Sequence, residues 1–147
     1  MKKKILILED ELTPLNFFND FLNKQGFSVY NFKELDLNIS FFKEDLIDLV
    51  IVNAVKISEN TKDQLVGLEG LPFIFLGNES NLAFKLDASL KLVLSLPVTP
   101  NLLLKTIFNL LEEKKRRENW AYEAIQMKRL FSNEEKAGNP SNKRITL

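Results

Sequence analysis

The sequence predicts an α/β fold: a doubly wound, five-stranded parallel sheet covered by helices on both faces, with an extended C-terminal helix. Three observations carry this. Short apolar runs alternate with amphipathic segments from about residue 3 to residue 112, the pattern of strands joined by helical crossovers. Two of the runs, Leu49-Val50-Ile51-Val52 and Phe73-Ile74-Phe75-Leu76, are continuously apolar, as strands buried on both faces must be. From Pro100 onward the chain meets neither Gly nor Pro until Gly138 and Pro140, so one long helix closes it.

In order, strands are expected at about residues 3–8, 27–31, 48–53, 72–76 and 91–95. The first helix is well marked: Thr13 can cap it, Pro14 suits its first position, and Gly26 stops it after Leu15, Phe18 and Leu22 at helical spacing. Short helices are expected around Ser40 to Leu46, Ser58 to Leu68 and Asn78 to Asp87. Thr99 caps the last helix and Pro100 takes its first position. Run to Phe131, it measures about 48 Å at ~1.5 Å per residue, more than covering the sheet requires. The expected organisation is a sheet domain over 1–112, a projecting extension of the last helix over 113–131, and a mobile tail over 132–147, where Gly138, Asn139, Pro140 and Ser141 break all periodicity. No internal repeat is present.

A chain of 147 residues, 45% hydrophobic and 27% charged, suits one domain plus an appendage and is long enough for a core. Formal net charge is +0, so bulk electrostatics require neither nucleic acid nor an anionic membrane as partner. The absence of Cys removes disulfides, thiol nucleophiles and thiolate metal sites. The absence of His removes the usual general base, the commonest transition-metal ligand and any phosphohistidine relay. Metalloenzyme and triad chemistries are thereby disfavoured, and no enzymatic activity is expected. Met-Lys-Lys-Lys and four aliphatic residues before Glu9 are too short for a signal peptide, and no apolar run approaches the ~20 residues that span a bilayer. The expectation is a soluble, cytoplasmic protein.

Polar residues at the strand ends carry the functional reading. Glu9 and Asp10 follow the first strand, Asn53 ends the third, Gly77 follows the fourth, Val93 lies in the fifth, and Leu96 precedes Pro97 just after it. With the five-strand, five-helix alternation, residues 3–112 resemble the receiver domain of bacterial response regulators, the CheY-like superfamily. The resemblance implies a flavodoxin-like strand order of 2-1-3-4-5, a site at the carboxyl ends of the strands, and a place in two-component signalling. It makes Glu9 and Asp10 the acidic pair whose oxygens hold Mg²⁺.

The same resemblance identifies four departures. Asn53 stands where the family has the phosphoacceptor aspartate, and an amide is not a nucleophile that forms an acyl phosphate. Gly77 replaces a Thr or Ser that contacts the phosphoryl group, Leu96 replaces the Lys that neutralises its oxygens, and Val93 replaces the Tyr or Phe that rotates on activation. The Met-Pro and Asp-Gly elements usual after the acceptor are missing from Ala54-Val55-Lys56-Ile57, and the segments Asn53 to Pro72 and Gly77 to Leu96 are shortened. The resemblance therefore implies a degenerate pseudo-receiver, with at most a weakly held Mg²⁺ and no other cofactor. Plainer roles are open to the same residues: Glu9 and Asp10 can solvate the chain and favour the next helix's first turn, and Asn53 can serve as a turn residue. Lys56 is the nearest cation that could balance the acidic pair.

On the last helix, Leu103, Leu104, Ile107, Phe108, Leu110 and Leu111 form an apolar face suited to a sheet. Glu112 to Glu118 is almost wholly charged, with favourable Glu112–Arg116 and Glu113–Arg117 spacings. Trp120, Ala124, Met127 and Phe131 then recur at spacings of 4, 3 and 4, with Tyr122 and Ile125 nearby. Such a stripe is covered by its own domain, by a second copy in a homodimer, or by another protein. The basic residues Lys114 to Arg117, Lys128 and Arg129 raise nucleic-acid contact, but Glu112, Glu113, Glu118 and Glu123 dilute them and no helix-turn-helix follows. The stripe is narrow for a membrane surface. The leading expectation is a phosphorylation-independent regulatory domain acting through protein–protein interaction or dimerisation. Two alternatives stand beside it: a transcription-associated regulator touching DNA through the basic helix, and a small-ligand or divalent-ion sensor using the cleft at the strand ends.

Overall fold

Five strands, β1 (Lys4–Glu9), β2 (Ser28–Lys33), β3 (Leu49–Asn53), β4 (Phe73–Leu76) and β5 (Lys91–Leu94), pair in parallel in the order β2-β1-β3-β4-β5. The computed structural model describes residues 2–9, 16–33, 36–38, 47–53, 57–77 and 90–137, with 16, 17 and 132–137 described by their backbone. The expected helices at Ser40 to Leu46 and Asn78 to Asp87, the Thr13 cap with Pro14, and residues 138–147 lie outside the described residues.

Every residue of β3 and β4 is buried, as their unbroken apolar runs require, whereas Leu92 and Val93 of the edge strand β5 are exposed. β2 starts at Ser28 and continues past the expected end at residue 31, because Asn31, Phe32 and Lys33 pair with Ile7, Leu8 and Glu9 of β1. Pairing with a neighbour extends a strand beyond what its own pattern indicates. Asp48 fixes where β1 and β3 begin: the Lys4 N–H donates to Asp48 Oδ2 at 2.8 Å, and the Asp48 N–H donates to the Lys4 carbonyl at 2.8 Å.

The helices among the described residues are α1 (Asn16–Lys24), α2 (Glu59–Val66) and α3 (Pro100–Ala137). Side chains alternate across each strand, so the register divides the core in two. Ile5, Ile7, Leu49, Ile51, Ile74 and Leu76 pack with Phe18 and Leu22 of α1 and Leu103, Ile107 and Leu110 of α3. On the opposite face Leu6, Leu8, Val50, Val52, Phe73 and Phe75 pack with Leu65 of α2 and with Leu37 and Ile47. Burying each large aliphatic or aromatic side chain stabilises the fold by roughly 1.5–3 kcal/mol before entropy is counted.

The helix ends follow the sequence signals. α1 closes with the Gly26 N–H on the Asn23 carbonyl (3.1 Å) and the Phe27 N–H on the Leu22 carbonyl (3.2 Å), a Schellman ending that places Gly26 at φ +96°. Ser58 caps α2 by accepting from the Thr61 N–H at 3.2 Å. Thr99 caps α3 by accepting from the Leu102 N–H at 3.1 Å. α3 is 38 residues long and passes the expected end at Phe131 to reach Ala137. Glu134, Glu135, Lys136 and Ala137 are good helix formers, and no breaker precedes Gly138. The chain divides into two units, Met1–Leu111 and Glu112–Leu147.

Candidate functional site

β1 and β3 end side by side. Glu9 and Asn53 are register partners, at the carboxyl edge of the sheet where open α/β folds bind ligands. Strand alternation puts both side chains on the face of Ile7 and Ile51, and both are buried, Glu9 to 5% and Asn53 to 2% exposure. A carboxylate taken out of water needs donors. Asn31 supplies one from the other neighbouring strand: its Nδ2 donates to Glu9 Oε1 at 2.9 Å, a charge-assisted bond of the stronger kind.

The chemistry available follows from these groups. Asn53 offers an amide, which forms no acyl phosphate. Glu9 is an acid that β1 places at this edge, and one of its oxygens already accepts from Asn31. Among the described residues no group of three or more His, Cys, Asp or Glu gathers to hold a metal. Mg²⁺ requires a near-octahedral set of oxygens, which Glu9 and Asn53 do not themselves compose. Asp10 and Lys56, the other members of the expected site, lie outside the described residues.

Gly77 directly follows β4 and extends its pairing with β5, the Gly77 N–H donating to the Leu94 carbonyl at 2.8 Å. Its φ is +118°, a region nearly closed to a β-branched residue such as Thr. Val93 is the register partner of Phe75 and is exposed on the edge strand, as is Leu96 before Pro97. The sheet thus brings Glu9 and Asn53 together, while Val93 and Leu96 face solvent.

Asn31 was not among the residues singled out from sequence. The available signal was an amide between Tyr30 and Phe32, on the strand face shared with Val29. Finding its partner required the register with β1.

In the second unit, every residue from Lys115 to Phe131 is exposed, including Trp120, Ala124, Met127 and Phe131. Trp120 reaches 72%. Glu113 accepts from Arg116 Nη2 at 2.7 Å and from Arg117 Nε at 3.1 Å, so the expected Glu113–Arg117 pair forms and Arg116 also bonds Glu113. These guanidinium hydrogen bonds, Arg116 first, hold the Glu113 carboxyl below the ordinary glutamate range. Lys114 pairs with Glu118 at 3.4 Å. Among the described residues no helix is long and apolar enough to cross a membrane.

No family model matches the chain, and no curated protein matches it. Solved structures do. A CheY-like response regulator receiver domain protein from Methanospirillum hungatei JF-1 is 19% identical, covering 80% of this chain and 99% of its own, with a TM-score of 0.63. A response regulator receiver domain protein from Clostridium thermocellum is 26% identical, covering 77% of this chain and 97% of its own, with a TM-score of 0.60. A chain in which a segment of the yeast Spc42 trimeric coiled coil is fused to another protein is 19% identical, covering 90% of this chain and 95% of its own, with a TM-score of 0.64. The protein has the receiver fold.

Proposed function

We propose that this chain is a receiver-fold regulatory module that acts by protein–protein association, including with itself, and without phosphorylation at the third strand. The observation that best supports this reading is the pairing of Asn53 with Glu9 at the carboxyl edge. An amide in the acceptor position forms no acyl phosphate, and the buried Glu9 carboxylate is engaged by Asn31. Gly77, Val93 and Leu96 lack the hydroxyl, the aromatic ring and the charge through which a phosphoryl group would be felt. Mg²⁺ is not required in this reading.

Association through α3 is supported by the exposed residues Trp120, Met127 and Phe131. The likeness to a chain carrying a coiled-coil segment, over 90% of this chain, points the same way. The nucleic-acid alternative is weakened because Glu113 and Glu118 neutralise Arg116, Arg117 and Lys114 within the helix. The test is to incubate the full chain with acetyl phosphate and Mg²⁺, then measure intact mass and self-association. The expected result is no adduct and unchanged association. A hydroxylamine-sensitive phosphoryl adduct, or association that appears only after treatment, overturns the reading.

A further inference from the structure

We propose that the exposed part of α3 pairs with the same segment of a second copy of this chain as a parallel two-stranded coiled coil. This rests on the reading above that the module works by association, and it names the partner. Trp120, Ala124, Met127 and Phe131 occupy successive d, a, d and a positions of a heptad, and all four are exposed. A strict a/d stripe is narrow and fits one partner helix.

The flanking charges select which helix. In this phase Glu123 falls at g and Lys128 at e, on opposite flanks of the seam, and both are exposed. In a parallel pair, position g of one helix meets position e of the following heptad on the other. Glu123 therefore meets Lys128 of the second copy, and two-fold symmetry makes the contact twice. An antiparallel pair centred on the stripe would instead bring g against g and e against e, so Glu123 and Lys128 of the two copies would not meet. A second copy of this chain supplies the complement of both flanks at once. Glu113 at d and Arg117 at a, bonded to each other at 3.1 Å, form a polar start to the seam, and polar residues in a seam fix register.

The experiment is sedimentation velocity on the full chain over a range of concentrations. A dimer is expected, with Glu123→Lys and Lys128→Glu each weakening association roughly tenfold by replacing two attractive contacts with two repulsive ones. The double exchange E123K/K128E restores association to within about threefold of the parent. Both positions are exposed, so circular dichroism should show unchanged folding. Orientation is read independently, because the chain contains no Cys: Phe131→Cys at the end of the stripe cross-links two copies on oxidation only where like ends meet, as in a parallel pair, whereas Asn119→Cys at position c does not. A monomer at every concentration, a trimer, tighter association of a single reversal, a dimer without a cross-link from Phe131→Cys, or equal cross-linking from Asn119→Cys overturns the proposal. A monomer that takes no phosphoryl group overturns pairing alone; a parallel dimer formed only after acetyl phosphate treatment supports the pairing and overturns phosphorylation independence.

Discussion

Glu9 and Asn53 are the last register partners of β1 and β3, and both side chains are buried at the carboxyl edge of the sheet. An amide there hydrogen-bonds without adding charge. Asn53→Asp places a second carboxylate beside the first in a site shielded from water, where like charges repel strongly. In chelator at neutral pH the variant should be less stable than the parent by about 1–3 kcal/mol. Mg²⁺ should recover part of that loss by binding the folded state, with a smaller response in the parent. Urea denaturation with and without Mg²⁺ reads both effects, and equal stability in chelator would count against the pairing.

Asn31 donates to the buried Glu9 carboxyl. Asn31→Ala removes the 2.9 Å donor to Glu9 Oε1 and should cost about 1–2 kcal/mol. Asn31→Asp turns the donor into an acceptor with like charge, so it should cost more. The order parent, Ala, Asp in urea midpoint tests the bond's contribution; a neutral alanine variant would show that it adds nothing.

Gly77 separates the effect of an added side chain from that of the backbone it would be added to. A Cβ built there meets nothing within 4 Å, so space does not oppose a larger residue. The φ of +118° does. Gly77→Thr, which adds a hydroxyl, should destabilise by about 1–3 kcal/mol. Gly70 is equally open but is not among the positive-φ glycines, so Gly70→Ala should be neutral or stabilise by up to about 1 kcal/mol. Thermal denaturation of the pair distinguishes backbone from packing: if both variants behave alike, the turn at Gly77 is not what constrains it.

The sheet was legible because its signals are local. Leu49 to Val52 and Phe73 to Leu76 are too apolar to stand anywhere but between covering helices, and Gly26, Ser58 and Thr99 announce helix ends through backbone chemistry that involves only their neighbours. Asn53 and Gly77 could likewise be picked out, since they end strands. What the chain could not show locally was pairing across strands. Asn31 looks like an interruption of β2 until the register sets it beside Glu9, and β2 itself runs to Lys33 because β1 holds it there. The positive φ at Gly77 was hidden for a related reason: a glycine in sequence permits that conformation without requiring it.

Glu113 gives a pH-dependent test of the polar segment of α3. Hydrogen bonds from Arg116 and then Arg117 lower its carboxyl below the ordinary glutamate range, which for an unperturbed side chain is about 4.3. A carboxyl whose titration is lowered in the folded state stabilises that state fully above the ordinary value. The contribution fades as pH falls through the lowered value. Both pairs are solvent-exposed, so added salt should shrink the effect. Following the Glu113 carboxyl by NMR in the full chain should show titration below the ordinary glutamate range. Arg116→Gln should move it back toward the ordinary range, and further than Arg117→Gln does, because Arg116 makes the shorter contacts, 2.7 Å against 3.1 Å. If neither substitution moves Glu113, the guanidinium bonds are not formed in solution, and Arg116 and Arg117 are left to meet an external anion, the condition that the nucleic-acid alternative needs.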